Sequence, residues 1–316
     1  MKMNCPITRR QSLKRIAQVS AGLAGAVLGV SPLLPPIPAR ASTGGKKFLV
    51  EGLGTQENYD VMALTRKVFE AAGGMGRFVS KGDVVAIKPN VSWARYPQMA
   101  ATTNPEVIEA VVKLCLDAGA KKVRIADHTI HDARRCFALT GVGAVAKKTG
   151  ADLVFPRPSL MKDMKLQGNR LDVWPVFVPL VEADKVLNVP VAKVHGLSTL
   201  TLGMKNWIGA VGGRRSALHQ DIHQSIVDLA QFFNPTVTLI DATRIMVENG
   251  PSGGSPSDVA VKNTLILSND PVAGDAKAAA GLFGYVPSEV GFIQLAQKWG
   301  LGTYDLEKLA TQRVVL

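Results

Sequence analysis

The sequence predicts an α/β protein with a mostly parallel sheet, helices on both faces of that sheet and a smaller lobe that contains a hairpin. Two observations lead to this fold class. Strand-like and helix-like segments alternate through the first half of the chain, which is typical of parallel strands joined by helices. One strand candidate, residues 84–87, is an uninterrupted apolar run, as expected for a strand that is buried on both faces.

The helices of the first half are predicted from apolar periodicity and from capping residues. Asn58 can cap a helix that Gly73 and Gly74 end. Asn104 can cap a second helix, with Pro105 at its first position. The predicted strands of this half are residues 47–51, 84–87, 123–126 and 152–155, and the predicted helices are residues 59–72, 105–117 and 133–148.

The second half is expected to begin with a hairpin and to continue with further strands and helices. The hairpin covers residues 165–180, with its turn at Gly168 and Asn169. A buried strand at residues 237–240 is expected to end at Asp241. The other predicted strands are residues 185–189 and 264–267, and the predicted helices are residues 218–232, 272–282 and 288–299.

Polar residues follow the two strongest strands of the first half. Lys88 and Asn90 follow strand 84–87, and Asp127 follows strand 123–126. Ligands of open α/β sheets bind outside the carboxyl ends of the strands, so both strand ends are expected to face one crevice. Burial would lower the pKa of Lys88, and an adjacent carboxylate would restore it. We therefore predict that Lys88 and Asn90 bind a ligand.

The N-terminus has the order of segments found in a twin-arginine export signal. Arg9 and Arg10 precede an apolar run at residues 16–30, and Ala39-Arg40-Ala41 forms a cleavage site. The run is shorter than the ~20 residues of a spanning helix, although an uncleaved anchor is the alternative. The expected product is a periplasmic protein.

The domain organisation follows from this signal. Residues 1–41 are the signal peptide, and residues 42–316 form a single α/β domain, with two lobes at about 42–160 and 161–316 as a variant. No low-complexity linker divides the mature chain.

Charge and composition favour a small anionic ligand over a nucleic acid. The formal net charge is +12, but residues 1–41 carry six basic residues and no acid, which leaves about +6 for the mature chain. The sequence has no basic stripe interleaved with aromatic residues, so no nucleic acid is expected as a partner. Contact with a membrane is expected only through the signal, if the signal is retained.

The cysteines exclude an iron–sulfur cluster carried by this chain. Only Cys115 and Cys136 remain after the signal, and there is no C-x-x-C motif. A disulfide between them is possible in an oxidising compartment. Cys115 lies on the predicted buried face of a helix, which argues against that bond.

Residues 193–223 combine histidines, lysines, arginines, hydroxyl groups and glycines with a single acid. Three of the five histidines of the chain lie there, namely His195, His219 and His223. Such a density of donors and cations indicates a site for an anion, a metal ion, or both.

The histidine spacing suggests a divalent metal site. His219 and His223 are four residues apart on the predicted helix, which places them on one face, where they can share a metal ion. A hydrogen-bonded pair at a helix start is the alternative. His195 is predicted to be a general base or third ligand, with a structural loop histidine as the alternative. The H-E-x-x-H motif of metalloproteases is missing.

The remaining candidates are cations, hydroxyls and one carboxylate. Lys205 is predicted to be catalytic, because lysine supplies a point charge for phosphate or carboxylate. Asp241 is the carboxylate best placed as base or metal ligand, with Glu248 as the alternative. The predicted ligand-binding residues of this region are Thr199, Thr201, Asn206 and Arg214, the last beside a glycine-rich turn that can form an anion-binding nest.

Several enzyme classes lack their motifs in this sequence. There is no G-x-S-x-G of serine hydrolases, no Walker loop, and no G-x-G-x-x-G after a strand.

The chain resembles the family called domain of unknown function 362, as an ordered set of motifs over residues 84–284. This resemblance implies an α/β protein that is often linked to iron–sulfur proteins and has no settled reaction. Some members carry ferredoxin-type cysteine runs, which this sequence lacks, so a cluster would belong to a redox partner. The residues that carry the resemblance are Lys88-Pro89-Asn90, Thr102-Thr103-Asn104-Pro105, His195, Thr201, Lys205-Asn206, Gly209, His219, Asp241, Gly250-Pro251, Gly253 and residues 269–275.

Together these features predict an exported enzyme or redox-associated protein that acts on a small anionic ligand, with metal assistance as one possibility. The alternative is a non-catalytic periplasmic component that binds a ligand or metal for an iron–sulfur redox system.

Overall fold

The computed structural model describes residues 46–56 and 58–316. The predicted export signal, residues 1–41, lies outside the described residues. In the part of the chain that is described, no helix has the length and apolar character needed to cross a membrane.

Strands and helices follow one another along the described chain. The strands are β1 (Phe48–Leu53), β2 (Val84–Pro89), β3 (Lys122–Ala126), β4 (Asp152–Val154), β5 (Met161–Lys165), β6 (Val173–Phe177), β7 (Lys185–Val189), β8 (Val191–His195), β9 (Thr199–Thr201), β10 (Val237–Met246), β11 (Val259–Ser268) and β12 (Ala310–Val315). The α-helices are α1 (Val61–Ala71), α2 (Pro105–Asp117), α3 (Ala133–Leu139), α4 (Val142–Thr149), α5 (Val178–Val181), α6 (Ile222–Phe233), α7 (Pro271–Phe283) and α8 (Gly291–Lys298).

One mostly parallel sheet organises the described residues. Its strands lie in the order β12-β1-β11-β10-β7-β2-β3-β4, and β8 joins β10 and β9 at one side of this path. The central run from β10 through β7, β2 and β3 to β4 is parallel, whereas β11 is antiparallel to both of its neighbours. A separate two-stranded sheet pairs β5 with β6.

Helices cover both faces of the sheet. Successive side chains of a strand point to opposite faces and therefore pack against different helices. In β10, Leu239 packs into the apolar cluster that also contains residues of α1 to α4. Its neighbour Ile240 packs into the cluster that contains residues of α6, α7 and α8. The predicted fold class is confirmed, including the small hairpin. The division of the chain into domains stays a prediction.

The hairpin of β5 and β6 starts earlier than predicted and is held against α6. Asp228 of α6 is 1% exposed, and its carboxylate accepts hydrogen bonds from the backbone N–H groups of Asn169, Arg170 and Leu171. A Cβ at Gly168 would overlap this carboxylate, so glycine is required at the turn. The turn predicted at Gly168 therefore binds the buried Asp228 carboxylate through its backbone N–H groups.

Some predicted element boundaries were wrong. The first helix is capped by Asp60, whose side chain accepts from Met62 N and Ala63 N, and not by Asn58. β10 continues to Met246, so Asp241 lies within a strand and not at its end. Strand β12 was missed, because its residues are mostly exposed and show no apolar alternation.

The segment predicted as one helix over residues 218–232 has two parts. A 3₁₀ segment spans Arg215–Asp221, and α6 begins only at Ile222 with Asp221 as its cap. His219 and His223 therefore belong to different elements. The assumption that both project from one α-helical face was wrong.

Cys115 and Cys136 are both buried free thiols. The alternative of a disulfide between them is not realised. Burial raises the pKa of Cys115 above its usual range and that of Cys136 to about 11, so both thiols stay protonated near neutral pH.

Candidate functional site

The floor of the candidate site is a buried ion pair between two neighbouring strand ends. Lys88 is the second-last residue of β2, and Asp127 directly follows β3. Their side chains are 1% and 0% exposed, and Lys88 Nζ lies 2.6 Å from Asp127 Oδ1. The two strand ends therefore lie side by side, and that they face one ligand crevice stays a prediction.

All three ammonium protons of Lys88 already have acceptors. Nζ donates to Pro89 O at 2.8 Å, to Asp127 Oδ1 and to Asn206 Oδ1 at 3.0 Å. Burial lowers the pKa of Lys88, and the nearby Asp127 carboxylate opposes that shift. Lys88 does not line the pocket described next, so its predicted role in ligand binding gives way to a structural one.

The 3₁₀ segment Lys205–Ala210 rests on this floor. Asn206 Nδ2 donates to Lys88 O and to Asn188 Oδ1, which ties the segment to β2 and β7. A Cβ at Gly209 would overlap the carboxylate of Asp127, and Gly209 O accepts from His128 N at 2.7 Å. Glycine at this position is therefore what lets the segment approach the ion pair.

A pocket of about 190 Å³ lies above the floor, and no acidic side chain lines it among the described residues. It contains six of the residues predicted from the sequence, together with cations and apolar groups that were not predicted. Its lining consists of Asn90, Ser92, Trp93, Ile130, Lys193, His195, Thr201, Lys205, Asn206, Ile208, Gly209, Arg215, His219 and Pro251.

Lys205 lines the pocket with a buried amine that has no hydrogen-bond partner among the described residues. The residue is 7% exposed, and its Nζ forms no hydrogen bond with any described residue. Burial alone lowers the pKa of Lys205 to about 7. A buried amine without partners is costly unless a ligand supplies them.

Lys193 is a second buried cation, and the sequence analysis did not single it out. It projects from β8, is 1% exposed, and donates to Ala101 O and to Pro251 O, the latter at 2.9 Å. Burial lowers the pKa of Lys193 well below its usual value, and nearby Lys205 lowers it further. The only indication in the sequence that this lysine is buried is its position between the apolar residues of a strand.

The arginine in the pocket is Arg215 and not the predicted Arg214. Arg214 is exposed and does not line the pocket. The guanidinium of Arg215 donates to His128 O and to Thr129 O, each at 2.7 Å. These bonds fix the side chain and leave further N–H groups for a ligand.

His195 presents a donor to the pocket, which differs from its predicted role as a base. Its Nδ1 accepts from the backbone N–H groups of Leu197 at 3.1 Å and Ser198 at 3.4 Å. The neutral ring therefore carries its hydrogen on Nε2. Burial, with Lys205, lowers the pKa of His195 to about 3, so the ring is neutral at pH 7.

His219 has the opposite tautomer. Its Nδ1 lies 3.3 Å from Arg215 O, and a carbonyl oxygen can only accept, so Nδ1 carries the hydrogen and Nε2 keeps a lone pair. The two imidazole rings stack with centroids 6.2 Å apart and an interplanar angle of 16°. Burial lowers the pKa of His219. His219 is therefore the better base of the two.

The predicted metal pair of His219 and His223 has no geometric support. A Cβ at Gly291 would overlap the ring of His223, so this ring packs against the start of α8, and His223 does not line the pocket. Among the described residues, no group of three or more histidine, cysteine, aspartate or glutamate side chains is arranged to hold a metal ion.

Asp241 and Thr199 do not line the pocket, whereas Thr201 does. The carboxylate of Asp241 is 1% exposed and accepts from Asn104 N and Thr243 Oγ1, each at 2.7 Å. It thus holds the capped start of α2. Burial raises the pKa of Asp241, and these bonds oppose the rise. Thr201 Oγ1 is buried and has no hydrogen-bond partner in the described part of the chain.

Comparison with known proteins yields a family and one relative. The family model described as "Domain of unknown function (DUF362)" matches residues 85–280. The thylakoid-associated protein sll1697 of Synechocystis sp. is 29% identical over 207 residues, which cover 63% of this chain and 64% of that protein. This chain therefore spans less than two thirds of that relative.

Among solved structures, the lactate racemase apoprotein from Thermoanaerobacterium thermosaccharolyticum is a distant neighbour. The TM-score is 0.39 at 14% sequence identity, over 69% of this chain and 53% of that chain. Similarity at this level supports no inference about activity.

The ion pair of the floor leads to a stability prediction. Asp127→Asn leaves the Lys88 ammonium buried without a carboxylate, so we expect the free energy of unfolding to fall by about 3 kcal/mol, measured by urea denaturation. Asp152→Asn breaks the half-exposed pair with Lys122 and should cost about 1 kcal/mol or less. Equal effects of both substitutions would contradict the structural role of the buried pair.

Proposed function

This chain belongs to the family of domain of unknown function 362, and we propose that it binds a small anionic ligand, a carboxylate or a phosphate, in the pocket between Lys193, Lys205 and Arg215. The observation that carries the proposal is the amine of Lys205, which lies in the pocket with no partner and no lining acid among the residues that the structure describes. An anion supplies both the missing charge and the missing acceptors.

The electrostatics of the pocket favour an anion over a neutral ligand. Both lysines are buried, and Lys205 lies close enough to Lys193 to lower the pKa of Lys193. The carboxylate of Asp127 is engaged by Lys88 beneath them. Buried cations are stable when they are paired, so an anionic ligand would relieve the repulsion between these two lysines.

The size of the pocket limits the ligand. Sites for drug-sized molecules occupy roughly 300–1,000 Å³, whereas this pocket is about 190 Å³. Inorganic phosphate or a carboxylate of a few carbon atoms suits this volume. Trp93, Ile130 and Ile208 add an apolar wall, which favours an organic anion with a short carbon chain.

The two histidines favour an enzyme over a non-catalytic binding protein. Neutral His195 offers a hydrogen from Nε2, and neutral His219 offers a lone pair on Nε2. A donor and an acceptor beside one ligand are the groups that general acid–base chemistry requires. The alternative function is that of a non-catalytic component of an iron–sulfur redox system. Such a protein would bind its ligand with the same cations and would need no base.

Binding of simple anions tests the proposal directly. We expect phosphate and short carboxylates to bind the purified protein in calorimetry and to raise its melting temperature. Lys205→Met should weaken binding about 10- to 100-fold, because a hydrogen bond to a charged group contributes about 1.5–3 kcal/mol. Lys147→Met removes an exposed lysine of α4 and should leave the affinity unchanged. Unchanged affinity in Lys205→Met would refute the assignment.

The lowered pKa of Lys205 predicts a pH dependence. The protonated amine binds the anion, so the affinity for propionate should be nearly constant at mildly acidic pH, below the pKa of Lys205 of about 7. Above that value the dissociation constant should rise by up to about tenfold per pH unit. Lys205→Arg keeps its charge over this range and should flatten the profile. A profile that is unchanged in Lys205→Arg would assign the titration to another group.

We also propose that the protein is exported to the periplasm by the twin-arginine route. The motif around Arg9 and Arg10, the apolar run 16–30 and the Ala39-Arg40-Ala41 site support this.

Cell fractionation of the full chain tests the export route. We expect the double substitution Arg9→Lys and Arg10→Lys to retain the protein in the cytoplasmic fraction, because the arginine pair is the receptor-read part of the signal. Lys2→Arg serves as the matched control and should still be exported, as a product that begins near Ser42. Periplasmic product from the double variant would contradict this route.

A further inference from the structure

We propose that Lys205 is a nucleophile that forms an imine with the carbonyl group of a small oxo-carboxylate, such as a 2-oxo acid, held in the pocket. This inference rests on the proposed anion site and adds the class of substrate and the covalent step.

Three buried lysines of this chain differ in how their amines are occupied. Lys88 Nζ has three hydrogen-bond acceptors and Lys193 Nζ has two. Lys205 Nζ has none among the described residues, although the residue is only 7% exposed and lines the pocket. A structural role accounts for the first two amines. The third is kept available, as a nucleophilic amine must be.

The surroundings of Lys205 favour the neutral, nucleophilic amine. Burial of the amine is one of the conditions that activate lysine for imine formation, and Lys205 is only 7% exposed. No acidic side chain of the described residues lines the pocket to hold the ammonium form. The pKa of Lys205 is accordingly lowered to about 7, so both forms of the amine are present near neutral pH.

The other polar groups of the pocket match the remaining parts of an oxo-carboxylate. Arg215 can hold the carboxylate. The Nε2–H of His195 can donate to the carbonyl oxygen. Thr201 Oγ1, which is buried without a partner, can bond the same oxygen or the hydroxyl that forms from it.

The covalent step balances without an oxidant or reductant. The lone pair of neutral Lys205 forms a bond to the carbonyl carbon, and the electrons of the C=O π bond move to oxygen. One N–H proton is transferred to that oxygen, for which the lone pair of His219 Nε2 is a suitable carrier, and a carbinolamine results. The C–O bond then breaks, the hydroxyl leaves as water with the second N–H proton, and the C=N bond forms.

Reductive trapping tests the proposal on the purified full-length protein. Wild-type protein is incubated at pH 7 with pyruvate and cyanoborohydride and is then mapped by peptide mass spectrometry. We expect one carboxyethyl adduct, on the peptide that contains Lys205, while Lys193 and the exposed Lys147 stay unmodified. Lys205→Arg, with its fold checked by circular dichroism, should lose the adduct.

Calorimetric titration with propionate, which lacks the carbonyl group, separates this proposal from the anion site itself. Propionate binding together with absence of a Lys205 adduct in wild-type protein would overturn the imine and leave the anion site standing. Absence of both propionate binding and the Lys205 adduct would overturn the anion site and the imine together. An adduct spread over exposed lysines at equal yield would also overturn the imine, because it would reflect unselective chemistry. Mapping of wild-type protein decides the question even if Lys205→Arg does not fold.

Discussion

The buried ion pair between Lys88 and Asp127 is the constraint on which the candidate site depends. Two charges that are 1% and 0% exposed are tolerated only when every remaining proton and lone pair is satisfied. Asp127 Oδ2 accepts from Val91 N, and Asn206 completes the shell of Lys88. Because these partners come from β2, β3 and the segment after β9, one network joins three separate parts of the chain at a single point.

The character of the pocket follows from that network. Asp127 forms its direct ion pair with Lys88 below the pocket, and its charge reaches Lys193 and Arg215 only from a distance. Lys193, Lys205 and Arg215 therefore remain without an acidic partner in the lining. The tautomers of His195 and His219 are set in the same way, by backbone groups that leave no choice of protonation site. The chemistry of the pocket is thus imposed by its supporting contacts.

The fold was predictable from sequence to a larger extent than the site. Buried runs such as residues 84–87 and caps such as Asn104 signal elements locally, whereas β12 joins the sheet with exposed side chains that carry no pattern. His195, Lys205 and Thr201 were found because strand ends and polar density point to them. Arg215 was missed, and His219 was wrongly placed on one helical face with His223, because the 3₁₀ segment Arg215–Asp221 has no α-helical periodicity from which side-chain directions can be read. Lys193 was missed because a single lysine in strand β8 gives no sign that it is buried.

The lone pair of His219 has a consequence for discrimination among oxyanions. A cavity lined by donors alone recognises fully deprotonated anions and rejects those that still carry a hydroxyl proton, since that proton finds no acceptor and stays unsatisfied. The hydroxyl groups of Ser92 and Thr201 in this pocket can turn to donate or to accept, whereas His219 Nε2 can only accept. Its lone pair therefore suits the proton of hydrogenphosphate and would face a lone pair of sulfate. The direction of one imidazole hydrogen, set by the carbonyl of Arg215, would thereby tell apart two tetrahedral anions of nearly equal size.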